Sequence, residues 1–529
     1  MQNKNLWWKN AVFYHIYPQS FCDSNADGWG DLQGIIQKLD YLADLGVDAI
    51  WLSPIYQSPL VDGGYDISDY RSIHANYGTM DDFRQLLHQA HIRHIRVIMD
   101  LVLNHTSDRH EWFVESSSSK DSHKRDWYIW QPPKHGKKPN NWRTNFGGKA
   151  WRLDEKTGEY YYHSFFWQQP DLNWRNAEMR RAMFAMMEFW LKEGIDGFRL
   201  DVINLLVKDE KLRDNPAGAL FSSKKAYNRN RPEVYKILQE FRTLLNKYPE
   251  KMSVGEIYTP PPGNPPLAAS FLGNGSDMLH LAFDFSLVFS LWNAALYYKI
   301  IRNYYRYLPP KGWACFFLSN HDIGRSVKRL NIFPNKYKKA KLHALLTLTL
   351  RGTPFIYYGE EIAMENTRIP KSKIRDLYGK LFYPFYNGRD GYRTPMQWNG
   401  SENAGFSTAE PHLPVNKNFK QINIEKQAKE KNSVYSFYKK LIALRKQYKV
   451  LQNGEIEFLC KGKNNILAYT RSNENERLLV ILNFNFFKKK FKINDLPNAG
   501  ILFSTHPKTK ASNSNYITLD AYEGLILKY

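Results

Sequence analysis

Cysteine is scarce in this chain of 529 residues, which contains only Cys22, Cys315 and Cys460. No two of them form a Cys-x-x-Cys pair. This pattern argues against a disulfide-stapled scaffold and against a zinc-thiolate site, and it is typical of proteins from a reducing compartment.

Long apolar runs are also missing. No stretch reaches the roughly 18 apolar residues that a membrane-spanning helix needs, and the residues from Met1 to Lys9 lack the apolar core of a signal peptide. We therefore expect a cytoplasmic protein that does not cross a membrane.

Acidic residues are outnumbered, with 52 Asp and Glu against 74 Lys and Arg, a net charge of +22. Such an excess can serve nucleic acids or anionic membranes. Here the basic residues are spread over predicted helices and the C-terminal third, and no nucleic-acid-binding module is recognisable. We expect neither partner, and we expect a monomer. Hydrophobic residues make up 43% of the chain, which suffices for a large core.

Eight β-rich segments alternate with stretches whose apolar residues recur at helical spacing, as in residues 32–46. This alternation predicts a (β/α)8 TIM barrel. The segments are 12–18, 47–54, 95–105, 194–202, 252–257, 278–285, 314–322 and 353–361.

The predicted barrel is interrupted once and followed by a second unit. Residues 106–173 are long, aromatic-rich and weakly periodic, which predicts a lobe inserted after the third strand. The barrel then comprises residues 1–105 and 174–450. Short alternating segments in residues 451–529 predict a C-terminal antiparallel β-sandwich domain.

Charged side chains stand at the predicted C-terminal ends of four strands, where the side chains of such a barrel converge. Any one of them alone is more often a cap or a surface ion pair, but together they predict one site. They are Asp100, His105, Arg199, Asp201, Glu256, His321 and Asp322.

This set suits glycoside hydrolysis with retention, which needs an ionised carboxylate as nucleophile and a protonated one as acid. Arg199 shares a strand face with Asp201 and is expected to hold it ionised. Glu256, near other carboxylates, is expected to have a raised pKa. Asp322, His105 and His321 remain to bind ring hydroxyls, and Asp100 to support Arg199.

Four of these regions, at residues 100–105, 197–201, 254–256 and 320–322, resemble the motifs of glycoside hydrolase family 13, the α-amylase family. The resemblance covers nearly the whole chain. It implies that Asp201 is the nucleophile, Glu256 the acid/base and Asp322 the stabiliser of the transition state.

Further segments at residues 64–67, 169–173 and 393–398 resemble the oligo-1,6-glucosidase branch. The resemblance implies that Asp62 and Arg393 pair to close the pocket around a terminal glucose, on which Tyr65 stacks. A closed pocket implies exo action on short chains. Ordinary core packing is the alternative for Tyr65.

The sequence says less about which glycosidic linkage the enzyme prefers. Val202 resembles the residue of members that prefer α-1,6 links, but Ile257, Tyr258 and Ile323 depart from the branch pattern. An α-1,4-glucosidase (maltase), a trehalose-6-phosphate hydrolase and a sugar isomerase or transglucosylase such as trehalose synthase share the same motifs. A non-catalytic binding protein on the same barrel is the alternative from another class.

A second predicted site lies near the N-terminus, where oxygen donors alternate and Gly28 stands sixth. This spacing is that of a calcium loop. The resemblance implies structural Ca²⁺ here, and an Asp/Asn/Gly turn is the alternative. It also implies that Lys208 stands where true amylases hold a calcium ion. The predicted loop ligands are Asp23, Asn25, Asp27, the Trp29 carbonyl and Asp31.

Overall fold

A computed structural model describes residues 6–219, 226–259, 262–329, 335–492, 500–506 and 515–529. In it, eight short strands form one parallel sheet that curls into a barrel. They are β1 (Phe13–Ile16), β2 (Ala49–Leu52), β3 (Arg96–Leu101), β4 (Gly197–Leu200), β5 (Met252–Glu256), β6 (Leu281–Phe283), β7 (Cys315–Phe317) and β8 (Thr353–Tyr357). They lie side by side in the order β6-β5-β4-β3-β2-β1-β8-β7. Phe283 of β6 packs on Phe317 of β7, with ring centroids 4.9 Å apart, and so bridges the remaining gap. The prediction of a TIM barrel is confirmed.

Helices follow the strands and cover the outside of the barrel. Met80–His91 illustrates why they form: Thr79 and Asp82 make a capping box at its start, and its buried side chains recur at a spacing of three or four residues. The longer helices are Leu39–Leu45, Met80–His91, Ala177–Glu193, Glu233–Leu245, Ala294–Tyr307, Lys336–Thr349 and Val434–Gln447, and the shorter ones are Trp7–Asn10, Leu32–Gln37, Glu111–Ser116, Pro265–Ser270, Ser326–Arg329, Leu377–Phe382, Ile424–Lys429 and Lys449–Asn453.

Apolar side chains fill two layers. One lies inside the barrel, where residues such as Phe13, Ile98, Val254 and Phe355 are buried against one another. The other lies between the strands and the surrounding helices and includes Leu52 and Leu345. Alternate residues of each strand serve the two layers, and this packing holds the strand ends in fixed positions.

The long connection after β3 carries its own antiparallel sheet of three strands, Trp130–Gln131, Glu159–Tyr162 and Trp151–Asp154. Trp142, Trp151 and Tyr162 form a small buried cluster beside it. A further two-stranded sheet, Tyr56–Gln57 with Asp69–Ile73, follows β2. These elements stand on the loops that leave the C-terminal ends of the strands.

The C-terminal part is an antiparallel β domain, as predicted. Buried Ile481, Leu525 and Ile517 belong to the apolar layer between its two sheets. One sheet has Glu455–Lys461, Ile466–Ser472, Arg477–Asn483, Gly524–Lys528 and Gly500–Ser504 in that order, and the other pairs Lys489–Lys492 with Tyr516–Leu519. The predicted domain boundaries stay predictions.

None of the helices in these parts of the chain combines the length and the apolar character that crossing a membrane requires. The cytoplasmic location and the monomeric state stay predictions.

Candidate active site

Arg199 lies fully buried at the C-terminal end of β4 and joins three carboxylates. Its Nη1 donates to Asp100 at 2.7 Å and to Asp201 at 2.8 Å, and its Nη2 donates to Glu256. The strand register produces this arrangement, because Asp100 of β3 and Val254 of β5 flank Arg199 of β4. One cation thus gathers acids from three neighbouring strands.

Asp322 follows β7 and faces the same cavity. Its carboxylate lies 2.8 Å from His321 Nε2, 2.8 Å from Arg393 Nη2 and 3.1 Å from Arg389 Nη1. Burial opposes ionisation of Asp322, but His321 and the two arginines hold its pKa well below the usual range. Asp322 therefore carries a negative charge next to the other acids.

The pKa values of Asp201 and Glu256 are raised, in contrast to that of Asp322. Burial raises the pKa of Asp201 and of Glu256, neighbouring carboxylates add to the shift, and Arg199 opposes it at both. The upward direction for Glu256 agrees with the sequence-based prediction, although burial is its main cause. Arg199 lowers the pKa of Asp201, as expected, but burial has the larger effect and the net shift of that pKa is upward.

The acids open into a cavity of about 250 Å³. Its floor is polar and buried, and much of its wall is aromatic. The wall residues are Asp62, Tyr65, His105, Asn145, Phe146, Phe165, Asp201, Val202, Leu205, Glu256, Tyr258, Phe285, Phe289, Asp322, Ile323, Tyr378, Tyr386 and Arg389.

The predicted pairing of Asp62 with Arg393 is wrong. Asp62 pairs with Arg389, whose Nη2 lies 2.5 Å from the Asp62 carboxylate. Arg393 instead donates to Asp322 and, at 2.7 Å, to the carbonyl oxygen of His321. The two arginines flank one short 3₁₀ turn, Asp390–Tyr392. The sequence motif therefore located the segment but not the arginine that reaches Asp62.

The remaining predicted residues fall into two groups. Tyr65, His105 and Val202 line the cavity. The side chains of Arg199, His321 and Arg393 lie behind the wall, where each contacts one or more of the acids. Tyr65 donates to Asp100 at 2.8 Å and stacks on His321, with ring centroids 5.0 Å apart. Asp100 contacts Arg199 and Tyr65 from behind, as a support would.

Two of the segments that resemble the oligo-1,6-glucosidase branch, residues 64–67 and 169–173, contact Asp62 in the cavity wall. Gln169 Nε2 lies 3.1 Å from both the Asp62 carboxylate and His105 Nε2. Asp66 accepts hydrogen bonds at 2.9 Å from the backbone of Val61 and Asp62. These contacts fix the loop that presents Asp62, which gives both motifs a physical role.

Lys208 is buried outside the cavity wall. Its Nζ contacts Asp171 at 2.5 Å and Asn104 at 2.8 Å. Burial lowers the pKa of Lys208, and Asp171 opposes that shift. The Lys208 ammonium group thus links the lobe to the end of β3 through two oxygen atoms. A metal ion could link the same oxygens, so an ammonium group and a metal ion are chemical alternatives in this role.

Val202 has a left-handed backbone, with φ +35° and ψ +45°. This conformation is strained for a β-branched residue. It directs the chain sharply away after Asp201, and the Val202 backbone N–H approaches Glu256 at 3.5 Å. The strained residue, Val202, therefore lies next to both Asp201 and Glu256.

Several wall residues have no counterpart in the predicted site. Arg389 and its second partner Asp376, 2.8 Å away, were not assigned, nor were the aromatic residues of the wall other than Tyr65. The abundance of aromatics in the lobe and in the segment after β8 was the available signal. Their convergence depends on how these loops pack.

The predicted calcium loop forms a turn held by its own backbone. Asp23 accepts from the N–H groups of Asn25 and Ala26, and Asp27 accepts from that of Trp29. Asp31 accepts hydrogen bonds at 2.8 Å from the backbone N–H and the hydroxyl of Ser24, and it also caps the helix Leu32–Gln37 through the N–H of Gly34. In the described parts of the chain, no three His, Cys, Asp or Glu side chains are gathered for a metal.

Calcium binding by this loop stays a prediction, and thermal unfolding checks it. If the ion binds the folded state, Tm should rise with added CaCl₂ relative to EDTA, since a ligand of the native state stabilises it. Asp27→Asn should remove this response while keeping the hydrogen bond to Trp29. An equal Tm with CaCl₂ and EDTA would leave the loop a plain turn.

Comparison with known proteins adds the family. A family model described as the catalytic domain of alpha amylase matches residues 15–454, and one described as the alpha-amylase SusG C-terminal domain matches residues 466–526. An oligo-1,6-glucosidase from Parageobacillus thermoglucosidasius is 43% identical and covers 99% of each chain. A trehalose-6-phosphate hydrolase from Bacillus subtilis (strain 168) is 41% identical, over 92% of this chain and 91% of its own.

The crystal structure of the trehalulose synthase MutB from Pseudomonas mesoacidophila MX-45 superimposes with a TM-score of 0.91 at 37% identity, covering 99% of each chain. Fold, acid cluster and full-length similarity agree. The chain therefore belongs to the α-amylase family, glycoside hydrolase family 13, and is an enzyme of the α-glucosidase type.

Proposed function

We propose that this enzyme is an exo-acting, retaining α-glucosidase that releases glucose from short α-linked gluco-oligosaccharides and favours α-1,6 links. One observation carries the proposal. Asp201 and Glu256 share the guanidinium of Arg199 beside a small cavity whose wall includes the buried Asp62–Arg389 pair.

The shared guanidinium supports retention. Retaining enzymes hold their two carboxyl groups about 5–5.5 Å apart, so that one can attack the sugar directly. In the proposed mechanism, Asp201 attacks the anomeric carbon while Glu256 protonates the departing oxygen. Glu256 then takes a proton from water, which attacks the glycosyl-enzyme and releases glucose and Asp201. The ionised Asp322 stabilises the positive charge that develops on the sugar ring.

The Asp62–Arg389 pair supports exo action. Asp62 and Arg389 are both buried and form an ion pair in the cavity wall, and in the proposed function this pair closes the cavity to a longer chain. The volume of about 250 Å³ lies below the roughly 300–1,000 Å³ of typical small-molecule sites. A terminal glucose would fill the buried part and leave the rest of the substrate in the mouth.

Charge in the cavity disfavours a phosphorylated substrate. Among the described wall residues, Arg389 is the only lysine or arginine, and Asp62, Asp322 and Asp376 engage it. A phosphate would need a cation that is not already paired. This arrangement supports a neutral substrate over trehalose 6-phosphate.

The test is a panel of isomaltose, maltose, sucrose, trehalose and trehalose 6-phosphate, with products separated by chromatography. We expect kcat/KM to be highest for isomaltose. Val202→Thr should raise the maltose-to-isomaltose ratio by roughly 5- to 150-fold, because such a change in a pocket is worth about 1–3 kcal/mol. Dominant cleavage of maltose by the native enzyme would refute the linkage preference. Rearranged disaccharide would identify an isomerase.

A further inference from the structure

One arginine outside the catalytic cavity is buried without an anionic partner. Arg229 belongs to the connection that follows β4, and it is only 6% exposed. In the described parts of the chain, its Nε has no hydrogen-bond partner and no carboxylate lies within ion-pair distance of its guanidinium. Burial lowers the pKa of Arg229, and the groups that oppose this shift are the phenols of Tyr162 and Tyr258. A buried guanidinium that no carboxylate accompanies is costly, so it points to an anion that binds there.

Arg229 lines a pocket between this connection and the lobe. The pocket has a volume of about 350 Å³, within the roughly 300–1,000 Å³ of typical small-molecule sites. Arg143 lines it from the lobe, and none of its described wall residues is an aspartate or a glutamate. The small residues 216–219 form part of the wall, and the pocket shares no described wall residue with the catalytic cavity. Two cations without an acid between them make the pocket electropositive.

The two walls are held together by hydrogen bonds that involve neither arginine side chain of the pocket. Asn141 of the lobe donates its backbone N–H to the Asp214 carboxylate and its side-chain amide to the Asn215 carbonyl oxygen, each at 2.8 Å. The backbone N–H of Asn215 donates to the Asn141 side chain at 2.8 Å, and Trp142 Nε1 donates to the carbonyl oxygen of Arg213 at 2.8 Å. The nearby Asp214 carboxylate is thus engaged by the lobe. The pocket is built in advance, so binding does not have to order its walls.

The chemistry of the pocket favours a tetrahedral oxyanion. A guanidinium presents its N–H groups as a planar fork that matches the oxygens of a phosphate group. Such a group has enough oxygens to accept from Arg229 and Arg143 at once, whereas a carboxylate in a bidentate pair with one arginine has used both of its oxygens. A neutral sugar has no charge to offset the burial of Arg229.

We propose that Arg229 and Arg143 bind a phosphate group between the lobe and the connection after β4. The free ion and a phosphorylated sugar share this chemistry, and the pocket has room for either. A bound phosphate group offsets the repulsion between the two arginines and ties the lobe to the barrel, so it stabilises the folded chain. The site is separate from the catalytic cavity and does not depend on which glucoside that cavity takes.

Calorimetric titration of the full-length enzyme with inorganic phosphate, at constant ionic strength, tests the proposal. We expect one site per chain. Arg229→Met should raise Kd by roughly 10- to 100-fold, because charged hydrogen bonds are lost, and Arg143→Met should raise it by a smaller factor, because Arg143 is exposed. Arg213→Met removes an equal charge from the same connection, but Arg213 pairs with Asp209 outside the pocket, so Kd should not change.

Thermal unfolding gives Arg229→Met a second readout. Without phosphate, this variant should be at least as stable as the native enzyme, because methionine removes a buried charge that has no counterion. Phosphate should raise Tm of the native enzyme but not that of the variant. A purely structural role for Arg229 would instead lower Tm of the variant under both conditions.

A parallel titration with glucose 6-phosphate identifies the source of the phosphate group. Tighter binding than that of inorganic phosphate, lost in Arg229→Met, indicates a phosphorylated sugar, and weaker binding indicates the free ion; both results support the site. The proposal is overturned if phosphate does not bind the native enzyme, or if Arg213→Met weakens binding as much as Arg229→Met. It is also overturned if Arg229→Met keeps the native Kd or, should that variant not fold, if Arg143→Met keeps it.

Discussion

Asp201→Asn is expected to lower kcat on isomaltose and on 4-nitrophenyl α-glucoside by roughly 10⁴-fold or more, the scale seen when a covalent nucleophile is removed. Asparagine keeps the shape of the side chain and can still accept from Arg199, so the fold should persist. The loss should be similar for both substrates, because formation of the glycosyl-enzyme needs the nucleophile whatever group departs. Initial rates and the thermal unfolding midpoint measure the two effects.

Asp100→Asn provides the matched control. It makes the same chemical change on the same guanidinium, since Asp100 lies 2.7 Å from Arg199, but Asp100 is absent from the cavity wall. We expect a much smaller loss of activity. Substantial turnover by Asp201→Asn, or equal losses in the two variants, would remove Asp201 from its proposed role.

Glu256→Gln is expected to lower activity strongly on substrates with a poor leaving group and only slightly on substrates with a good one. On isomaltose, kcat/KM should fall by roughly 10²- to 10⁴-fold, the usual contribution of a general acid. On 4-nitrophenyl α-glucoside it should change little, because nitrophenolate departs without a proton. Added azide should restore turnover of the second substrate, since an anion attacks the glycosyl-enzyme without a base. The product would be an α-glucosyl azide, and a β product would contradict retention.

The pH profile gives the same variant a second readout. Burial raises the pKa of Glu256 above 4.5, so the acid stays protonated to higher pH than a free glutamate, and activity falls as pH rises through that pKa. Burial likewise raises the pKa of Asp201 above 3.8, so activity falls as pH drops through it. The native enzyme should show a bell in kcat/KM. Glu256→Gln should lose the alkaline limb with the activated substrate, and an unchanged limb would point to another acid.

The barrel and its acids could be predicted because both follow from local rules. The alternation of strand and helix gave all eight strands, and the rule that strand ends converge placed Asp201, Glu256 and Asp322 together. The strand ends were less accurate. The third strand, predicted over 95–105, ends at Leu101, and beyond it Asn104 leaves the sheet to bind Lys208 and Asp171. Contacts made by distant residues set that boundary.

The identity of the arginine that meets Asp62 could not be predicted. Arg389 and Arg393 are four residues apart in one irregular segment, and either could reach a carboxylate. Asp376 settles the question, because it accepts from both the backbone and the side chain of Arg389 and orients that guanidinium. Such a choice depends on packing between loops, as does the gathering of the aromatic wall, and short motifs carry little information about either.

The Asp62–Arg389 contact spans 327 positions of the chain. A ribosome that has completed residue 388 has already made Asp201, Glu256 and Asp322, yet it has not made the side chain that pairs with Asp62. Translation order therefore places this pair, the proposed contact of a terminal glucose, after almost three quarters of the polypeptide. The growing chain contains its three acids well before it contains the complete wall around them.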